Sequence, residues 1–363
     1  MAFVSCQQGD LKEVFITEFD IIDRYVGSQL WLWGLGSYGR LGNNSTTSRS
    51  SPVQTVSTGT DWKQVDAAIA HAAAIKTDGT LWLWGYASCG RLGNNSTVQR
   101  SSPVQAVSTG TNWSQVKVGR FNSGATKTDG TLWIWGDGTN GKLGNNSTTN
   151  RSSPVQTIAC GTNWANLDLA ELHSAAVKTD GTLWLWGRNI QGQLGTNSTI
   201  DQSSPVQTLS TGINWKQVSL GFNHSAAIKC DGTLWMWGGA TCGALGTNST
   251  TDQSSPVQTI STGTNWKQVS LGFYQSASVK TDGTLWLWGN ASTGQLGNNT
   301  TIDQSSPVQT VSTGTNWKQV GVSSIHSAAI KTDGTLWLWG ENRDGRLGNN
   351  STINQSSPVQ TLV

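Results

Sequence analysis

The sequence predicts an all-β fold, a seven-bladed β-propeller of four-stranded antiparallel blades. Three observations lead there. The segment Leu-Trp-x-Trp-Gly recurs with its second tryptophan at Trp33, Trp84, Trp135, Trp186, Trp237, Trp288 and Trp339, a constant step of 51 residues. The seven prolines, Pro52 to Pro358, keep the same step, as do the six tryptophans from Trp62 to Trp317, so all 20 tryptophans are repeat positions. The 43 glycines punctuate the chain as turns do between many short strands. A fixed period of this length marks a repeat architecture.

Each repeat reads as four strands in order. Strand A is the NWKQV segment, strand B is HSAAIK, strand C is TLWLWG and strand D is SSPVQTV. Asp-Gly, as in Asp78-Gly79, joins B to C and is a two-residue hairpin signal. Strand C alternates Leu with Trp, so both of its faces are apolar. A sheet apolar on both sides must be covered on both sides, and radially stacked sheets provide this. No stretch reads as a helix of useful length. One period before Trp62, Gln8 to Val14 form a worn copy of strand A. Residues 15–29 stand where strand B belongs, with Tyr25-Val26-Gly27-Ser28 in place of the Asp-Gly turn. Residues 1–363 are therefore expected to form a single propeller domain. In it, the divergent segment 1–29 and the C-terminal strand D complete one closing blade that joins the chain ends.

Composition narrows the function classes. A formal net charge of +2 provides neither the basic field of a nucleic-acid binder nor an acidic tail, so no specific nucleic-acid partner is expected. No run of about 18 apolar residues suits a membrane span. The N-terminus lacks the basic and apolar regions of a secretion signal, so a cytoplasmic location, or one within a virion or other assembly, is expected. Cys6, Cys89, Cys160, Cys230 and Cys242 lack metal-ligand spacing and read as free thiols. The Asn-Asn-Ser-Thr loops match the N-glycosylation pattern, for which a chain without a secretion signal has no evident use.

Several motifs imitate chemistry. Gly136-x4-Gly141-Lys142 copies most of a phosphate-binding P-loop. Leu143 stands where the magnesium-binding Ser or Thr belongs, and no helix follows. The glycines belong to the repeat frame Gly-x4-Gly-x-Leu-Gly, and Lys142 reads as an ordinary occupant of the rim. His71, His173, His224 and His326 share one position, filled elsewhere by Asn122, Gln275 and Asp20. One imidazole per blade does not converge on a metal ion, so a hydrogen-bonding role at the start of strand B is expected. The tryptophans read as inter-blade packing, and repeated lysines such as Lys76 and Lys127 as solvated strand ends. No catalytic residue, metal site or cofactor is expected.

The pattern H-S-A-A-[IV]-K-x-D-G-T-L-W-x-W-G-x4-G-x-L-G resembles the regulator of chromosome condensation repeat, over practically the whole chain. The double glycine of kelch repeats and the Trp-Asp signature are absent. The resemblance implies a seven-bladed propeller. It leaves function open, because the family includes an exchange factor for a small GTPase, a plant UV-B photoreceptor and many interaction modules. The exchange factor carries an inserted wedge and a basic tail, neither of which this chain has. The photoreceptor carries Gly-Trp-Arg-His-Thr before strand B. Here the matching positions read Gly221-Phe222-Asn223-His224-Ser225 and Gly272-Phe273-Tyr274-Gln275-Ser276, without tryptophan.

Where near-identical repeats disagree, the disagreement carries information. Two segments vary strongly. One follows strand C and includes Tyr38, Tyr86, Asp137, Asn140, Arg188, Ile190, Glu341 and Arg343. The other precedes strand B and includes Arg120, Phe121, Glu171, Phe222, Asn223, Phe273, Tyr274 and Ile325. In an up-and-down meander, A–B and C–D connections leave on one face of the disc, B–C and D–A on the other. One face is thus varied and the other constant. Drift of exposed loops should not spare a face, whereas recognition on a rigid frame concentrates on loops, with aromatic and Arg anchors. These residues are the expected contacts to a protein, or surface-glycan, partner. Arg49, Arg100 and Arg151, with Arg40, Arg91 and Lys142 nearby, make one rim sector basic. Asp201, Asp252 and Asp303 make the opposite sector acidic. This asymmetry fits electrostatic orientation of a partner, and equally a duplication in two blocks. The expected function is a non-enzymatic binding scaffold. The alternatives are a structural or appendage protein of a microbial or viral assembly, docked through residues 1–29, and a guanine nucleotide exchange factor for a small GTPase.

Overall fold

The computed structural model describes residues 15–16, 21–26, 29–56, 61–107, 110–158, 161–209, 214–260, 263–311, 314–343 and 345–361. They form seven four-stranded antiparallel sheets, each in the strand order A-B-C-D. Blade two is representative, with A at Trp62–Ala67, B at His71–Lys76, C at Leu81–Gly85 and D at Arg100–Gln105. Besides strands, four three-residue 3-10 turns follow strand C in blades one, two, three and five. No helix among the described residues is long and apolar enough to cross a membrane.

Each sheet is built from one continuous stretch of chain, which corrects the expected shared closing blade. Blade one comprises Phe15–Ile16, Ile21–Val26, Gln29–Gly34 and Arg49–Gln54. Blade seven comprises Trp317–Val322, His326–Lys331, Leu336–Gly340 and Gln355–Gln360. Its strand D pairs with its own strand C, so no strand is left over to complete blade one. Strand A of blade one lies against strand A of both blade two and blade seven. The expected copy of strand A at Gln8 to Val14 lies outside the described residues, as do Asp20, Cys6 and Cys160.

The core lies between sheets. Ile75, Leu81 and Leu83 of blade two pack with Trp113, Val116 and Trp135 of blade three, all nearly inaccessible to solvent. The second tryptophan of strand C ties this packing down. Trp84 donates its indole N–H to the Arg40 carbonyl of the preceding blade at 3.0 Å, and Trp135 does the same to Arg91 at 2.9 Å. A buried indole of about 150–250 Å² removes roughly 4–6 kcal/mol worth of apolar surface from water. Gly42 is required by this contact: its φ is +63°, and a Cβ there would sit 2.8 Å from Trp84 Nε1.

A second tie explains the constant Asn-Asn-Ser-Thr loop. Asn44, Asn95, Asn146, Asn197, Asn248 and Asn299 adopt positive φ, between 55° and 63°. Each donates its backbone N–H at 2.8 Å to a serine carbonyl in strand D of the next blade, Ser101 through Ser356. Asparagine tolerates the left-handed conformation better than most residues with a Cβ. The loop is therefore an inter-blade clasp, which accounts for its constancy.

Two local expectations change. The B–C connection is a three-residue loop, Thr77-Asp78-Gly79, closed by Lys76 N–H to Thr80 O at 3.0 Å. The Asp-Gly pair is used differently from a two-residue turn. Gly79 takes φ +79° in the bulge position, and Asp78 accepts from the Thr80 amide and hydroxyl at 2.9 and 2.7 Å. The repeated lysines are not solvated ends. Lys127 Nζ lies 4.9 Å from the ring centre of Trp113 and 4.8 Å from that of Trp133. Lys76, Lys178, Lys229, Lys280 and Lys331 are held in the same way. Each stem covers indole surface while the ammonium meets the ring face.

Candidate recognition face

In blades two to seven the meander brings the two variable segments together. The first residue after strand C donates its N–H to the residue before strand B, as in Tyr86 to Ala70 O (2.8 Å), Asp137 to Phe121 O (3.0 Å) and Arg188 to Leu172 O (3.0 Å). Asn290 to Tyr274 O and Glu341 to Ile325 O repeat it at 2.9 Å. At the other end of the sheets the constant elements meet, with Thr77 N–H on Asp61 O at 2.7 Å. In blades two to seven the two varied segments thus meet at one end of the sheet, and the near-identical B–C turns lie at the other.

The position after the second glycine of the loop stitches the varied ends of neighbouring blades. Arg91 donates to Arg120 O at 2.7 Å, and Lys142 to Glu171 O at 2.9 Å. Lys142 also pairs with Asp137 Oδ2 at 2.6 Å and is 1% exposed. Burial lowers the Lys142 pKa, against the pull of Asp137. Arg40 and Arg91 are buried too. These three side chains were expected on a basic rim, and the correction is that they lie inside the structure. The acidic sector also changes meaning. Asp201, Asp252 and Asp303 each accept a loop amide, from Asn189, Ala240 and Ala291, at 2.7 to 2.8 Å. Asn150 and Asn354 do this elsewhere, so a neutral acceptor suffices. The P-loop imitation is resolved as well. Gly136 and Gly141 take φ +106° and +77° against the backbone of Asn122 and Ser203, and the lysine is spent on Asp137.

Two aromatic groups stand out on the varied face. In blades one to three, Tyr38 and Tyr86 lie 4.5 Å apart. The Arg91 guanidinium sits 5.1 Å from the Tyr86 ring centre and 5.2 Å from that of Phe121. Arg120 covers Phe121 at 5.1 Å and pairs with Glu171 at 2.7 Å. In blades five and six, Phe222 and Phe273 stack at 3.9 Å, and Tyr274 meets Phe273 edge-on at 4.6 Å. Tyr38 and Ile190 are 44% and 53% exposed. Arg343 is exposed beside Glu341, at 3.7 Å, and Arg188 is half-buried. Asn140 is exposed at φ +59° and donates to Asp201 at 3.0 Å. Asn223 is buried and spent on Gln191, and the Ile325 carbonyl is taken by Glu341 and Thr293. These two, with Asp137, serve the loops themselves.

The histidines do what their repeat position suggests. His71 Nε2 meets Ser123 Oγ of the next blade at 2.8 Å, and Ser123 donates to Arg91 O at 2.8 Å. Since the serine proton is spent on that carbonyl, the imidazole donates through Nε2. His173 and His224 meet Ser225 and Ser276 in the same way. Burial holds His173 and His326 down to about 3 and His224 to about 4, and holds His71 well below 6.5. Among the described residues no group of three or more His, Cys, Asp or Glu is arranged to hold a metal ion. Cys89, Cys230 and Cys242 are free thiols.

One feature escaped the sequence reading. Where the A strands converge, Asp66, Lys117 and Asp168 replace the Ser219, Ser270 and Gly321 of later repeats. Asp66 accepts from Lys117 Nζ at 3.5 Å and from Val118 N–H at 2.7 Å. They adjoin a small open cavity of about 50 Å³ lined in part by Arg120, Asp168 and Glu171. The signal was one strand-A position that carries Asp, Lys, Asp, Ser, Ser and Gly in successive repeats.

The regulator of chromosome condensation (RCC1) repeat model matches residues 28–75, 78–125, 129–166, 180–228, 231–279, 282–330 and 333–362. The ultraviolet-B receptor UVR8 of Arabidopsis thaliana is 30% identical over 311 residues, covering 82% of this chain and 69% of the receptor. The mitochondrial RCC1 domain-containing protein RUG3 of Arabidopsis thaliana is 28% identical over 374 residues, 92% of this chain and 82% of that protein. The E3 ubiquitin-protein ligase HERC2 of Homo sapiens is 29% identical over 294 residues, 77% of this chain, which spans only 6% of the ligase. Among solved structures, human WBSCR16 superposes with a TM-score of 0.81 at 19% identity, covering 92% of this chain and 94% of that one. Yeast RCC1 (Prp20), solved with Kap60, superposes at 0.80 and 17% identity, covering 96% and 85%. On the strength of seven matched repeats, the chain belongs to the regulator of chromosome condensation repeat family.

Proposed function

We propose that the protein is a non-catalytic scaffold that recognises a protein partner through its varied face. The observation that carries this reading is the segregation of repeat differences. Both varied segments are hydrogen-bonded to each other at one end of the sheets, while the opposite turns remain nearly identical. The face offers aromatic groups on a frame tied blade to blade, and such anchors dominate interface energetics. The yeast relative bound to Kap60 supports a protein as partner.

The test is capture from the native source on immobilised protein, followed by variants. Phe273→Ala combined with Arg188→Glu should weaken capture of the partner at least about tenfold, the loss of one or two interface anchors. Substitution of Thr128 and Thr179 by Ala in the constant turns should leave capture unchanged. Equal losses from both faces would refute the reading. An exchange factor would instead accelerate nucleotide release from a small GTPase, and no acceleration is expected.

A further inference from the structure

We propose that the exposed asparagine of each clasp loop, Asn95 and its counterparts at steps of 51 residues, is an acceptor for an N-linked sugar. The donor is a sugar activated by a diphosphate, carried on lipid or on nucleotide, and a separate transferase joins the two. This inference is independent of the scaffold reading above. A bond forms from Nδ2 to the sugar's C1, and the C1–O bond to the diphosphate breaks. The diphosphate leaves with that electron pair, and Nδ2 releases one proton to a base of the transferase.

The first argument is a constant residue that the clasp does not use. Every repeat carries Asn, then Ser or Thr, then Thr, which is the acceptor pattern. Blade six reads Asn299-Thr300-Thr301 and the others Asn-Ser-Thr. The clasp employs the first two residues. Asn95 supplies the positive φ and the backbone donor. Ser96 Oγ accepts the Val98 N–H at 3.1 Å, and the Thr300 hydroxyl does the same for Ile302 at 2.9 Å. Thr97 takes no part. It is exposed, and its hydroxyl has no hydrogen-bond partner among the described residues. Its six counterparts are exposed as well. The next position, also exposed, changes among Thr, Val and Ile, as in Thr47, Val98 and Ile200. A transferase that reads the hydroxyl two residues past asparagine requires such a threonine, exposed, unbonded and constant beside a varied neighbour.

The second argument is which atom is presented. Asn-Asn-Ser-Thr holds two overlapping patterns, one beginning at Asn94 and one at Asn95. Asn94 is half-buried with its Oδ1 shut away from solvent, and Thr196 and Thr247 replace it in blades four and five. Asn95 is exposed. Its Oδ1 accepts the Ser152 hydroxyl of the next blade at 3.1 Å. The same bond recurs at 3.1 to 3.4 Å in five other loops. With the oxygen pinned, Nδ2 is the amide atom left to solvent. It is also the atom that carries the sugar. Strand D is the outermost of each sheet, so the acceptors ring the outside of the disc. A nucleotide-linked donor acts without export of the chain, so the pattern does not depend on a secretion signal.

The test is the mass of the full chain isolated from its native source, followed by electron-transfer fragmentation to place any sugar. The chain should exceed its sequence mass in steps of whole sugar residues, carried on Asn95 and its counterparts. Sugar on Asn94, or on none of the clasp asparagines, would overturn the proposal. Thr97→Val, expressed in the same source, should lose the sugar at Asn95 and keep it at the other loops, while Thr97→Ser should keep it everywhere. Retention at Asn95 in Thr97→Val would overturn the proposal. So would a lowered urea midpoint for that variant in unglycosylated chain, because Thr97 would then be held by the fold. Should the variant not fold, the placement of sugar in the unmodified chain still decides. Two arms separate the donors. Unglycosylated full chain is incubated with washed membranes bearing lipid-linked oligosaccharide, or with membrane-free cytosol and labelled UDP-glucose. Transfer in the first arm assigns the lipid-linked donor, and transfer in the second the nucleotide-linked one. Transfer in neither arm, with an unmodified native chain, would refute both.

Discussion

Acidification should unfold this protein through its four buried histidines. A neutral imidazole buried in the fold must stay neutral there, while the unfolded chain binds a proton near 6.5. The folded values of about 3 for His173 and His326, about 4 for His224, and well below 6.5 for His71 place every folded pKa under its unfolded one. The unfolded state therefore binds more protons below 6.5, and stability falls as pH drops through that value. At pH 5 His173, His224 and His326 each cost about 2 kcal/mol, from 1.5 pH units at about 1.36 kcal/mol per unit, or about 6 kcal/mol together, and His71 adds in the same direction. Asp66 works the other way. Its folded pKa of about 6 lies above the ordinary 3.8, so the folded state gains on the order of 1 kcal/mol at pH 5 from protonation. Asp168, also raised by burial, opposes the histidines in the same direction. The histidines win, and their geometry shows why. Nδ1 of His71, His173 and His224 has no hydrogen-bond partner, so an imidazolium would bury an unsatisfied N–H beside a desolvated charge. Urea unfolding at pH 7, 6 and 5 should show a loss of roughly 5–7 kcal/mol, a large share of a typical domain's stability. Replacing all four histidines by Gln should remove most of that dependence. Gln275 shows that an amide suits the position, donating to Ser323 O at 2.9 Å. A loss below about 2 kcal/mol, or an unchanged slope in the Gln variant, would refute the reasoning.

Further outcomes follow from the inter-blade ties. Gly144→Ala places a Cβ 2.8 Å from Trp186 Nε1 at φ +68°, and should cost about 2 kcal/mol or more in urea unfolding. Trp135→Phe loses the indole hydrogen bond to Arg91 O, which keeps Ser123 as its other donor, and should cost about 1–2 kcal/mol through the lost bond and lost surface. Asn95→Gly should be nearly neutral and Asn95→Val costly by about 1–2 kcal/mol, because the clasp needs positive φ. A fluorescent ATP analogue should show no saturable binding that Lys142→Met removes, since Lys142 is already paired with Asp137.

Much of the fold was legible because the sequence repeats it. Trp82 and its counterparts mark strand C, Pro103 marks edge strand D, and the meander follows from strand order alone. Closure was misread because the weak strand A before Phe15 suggested a deficit that the C-terminal strand would fill. The sheets instead use contiguous chain. Within the candidate site, the aromatic positions were visible as repeat differences, and the structure gathers them into two groups. Arg91, Lys142 and Asp201 were misjudged as rim charges. Charge along a sequence carries no information about which loop a side chain reaches into: Arg91 and Lys142 each reach 29 positions on into the next blade, and Asp201 reaches 12 positions back within its own.

The sequence by itself determined the period, the strand order and which connections share a face, because local hydrogen bonding and alternation are written residue by residue. Tertiary structure alone decided which polar residues are presented and which are consumed. That difference arises at the seams between blades, where Arg91 turns inward to Phe121, Asn223 is spent on Gln191, and Asp168 is left lining the axis. Burial and charge balance are properties of the assembled ring, and no single repeat contains them.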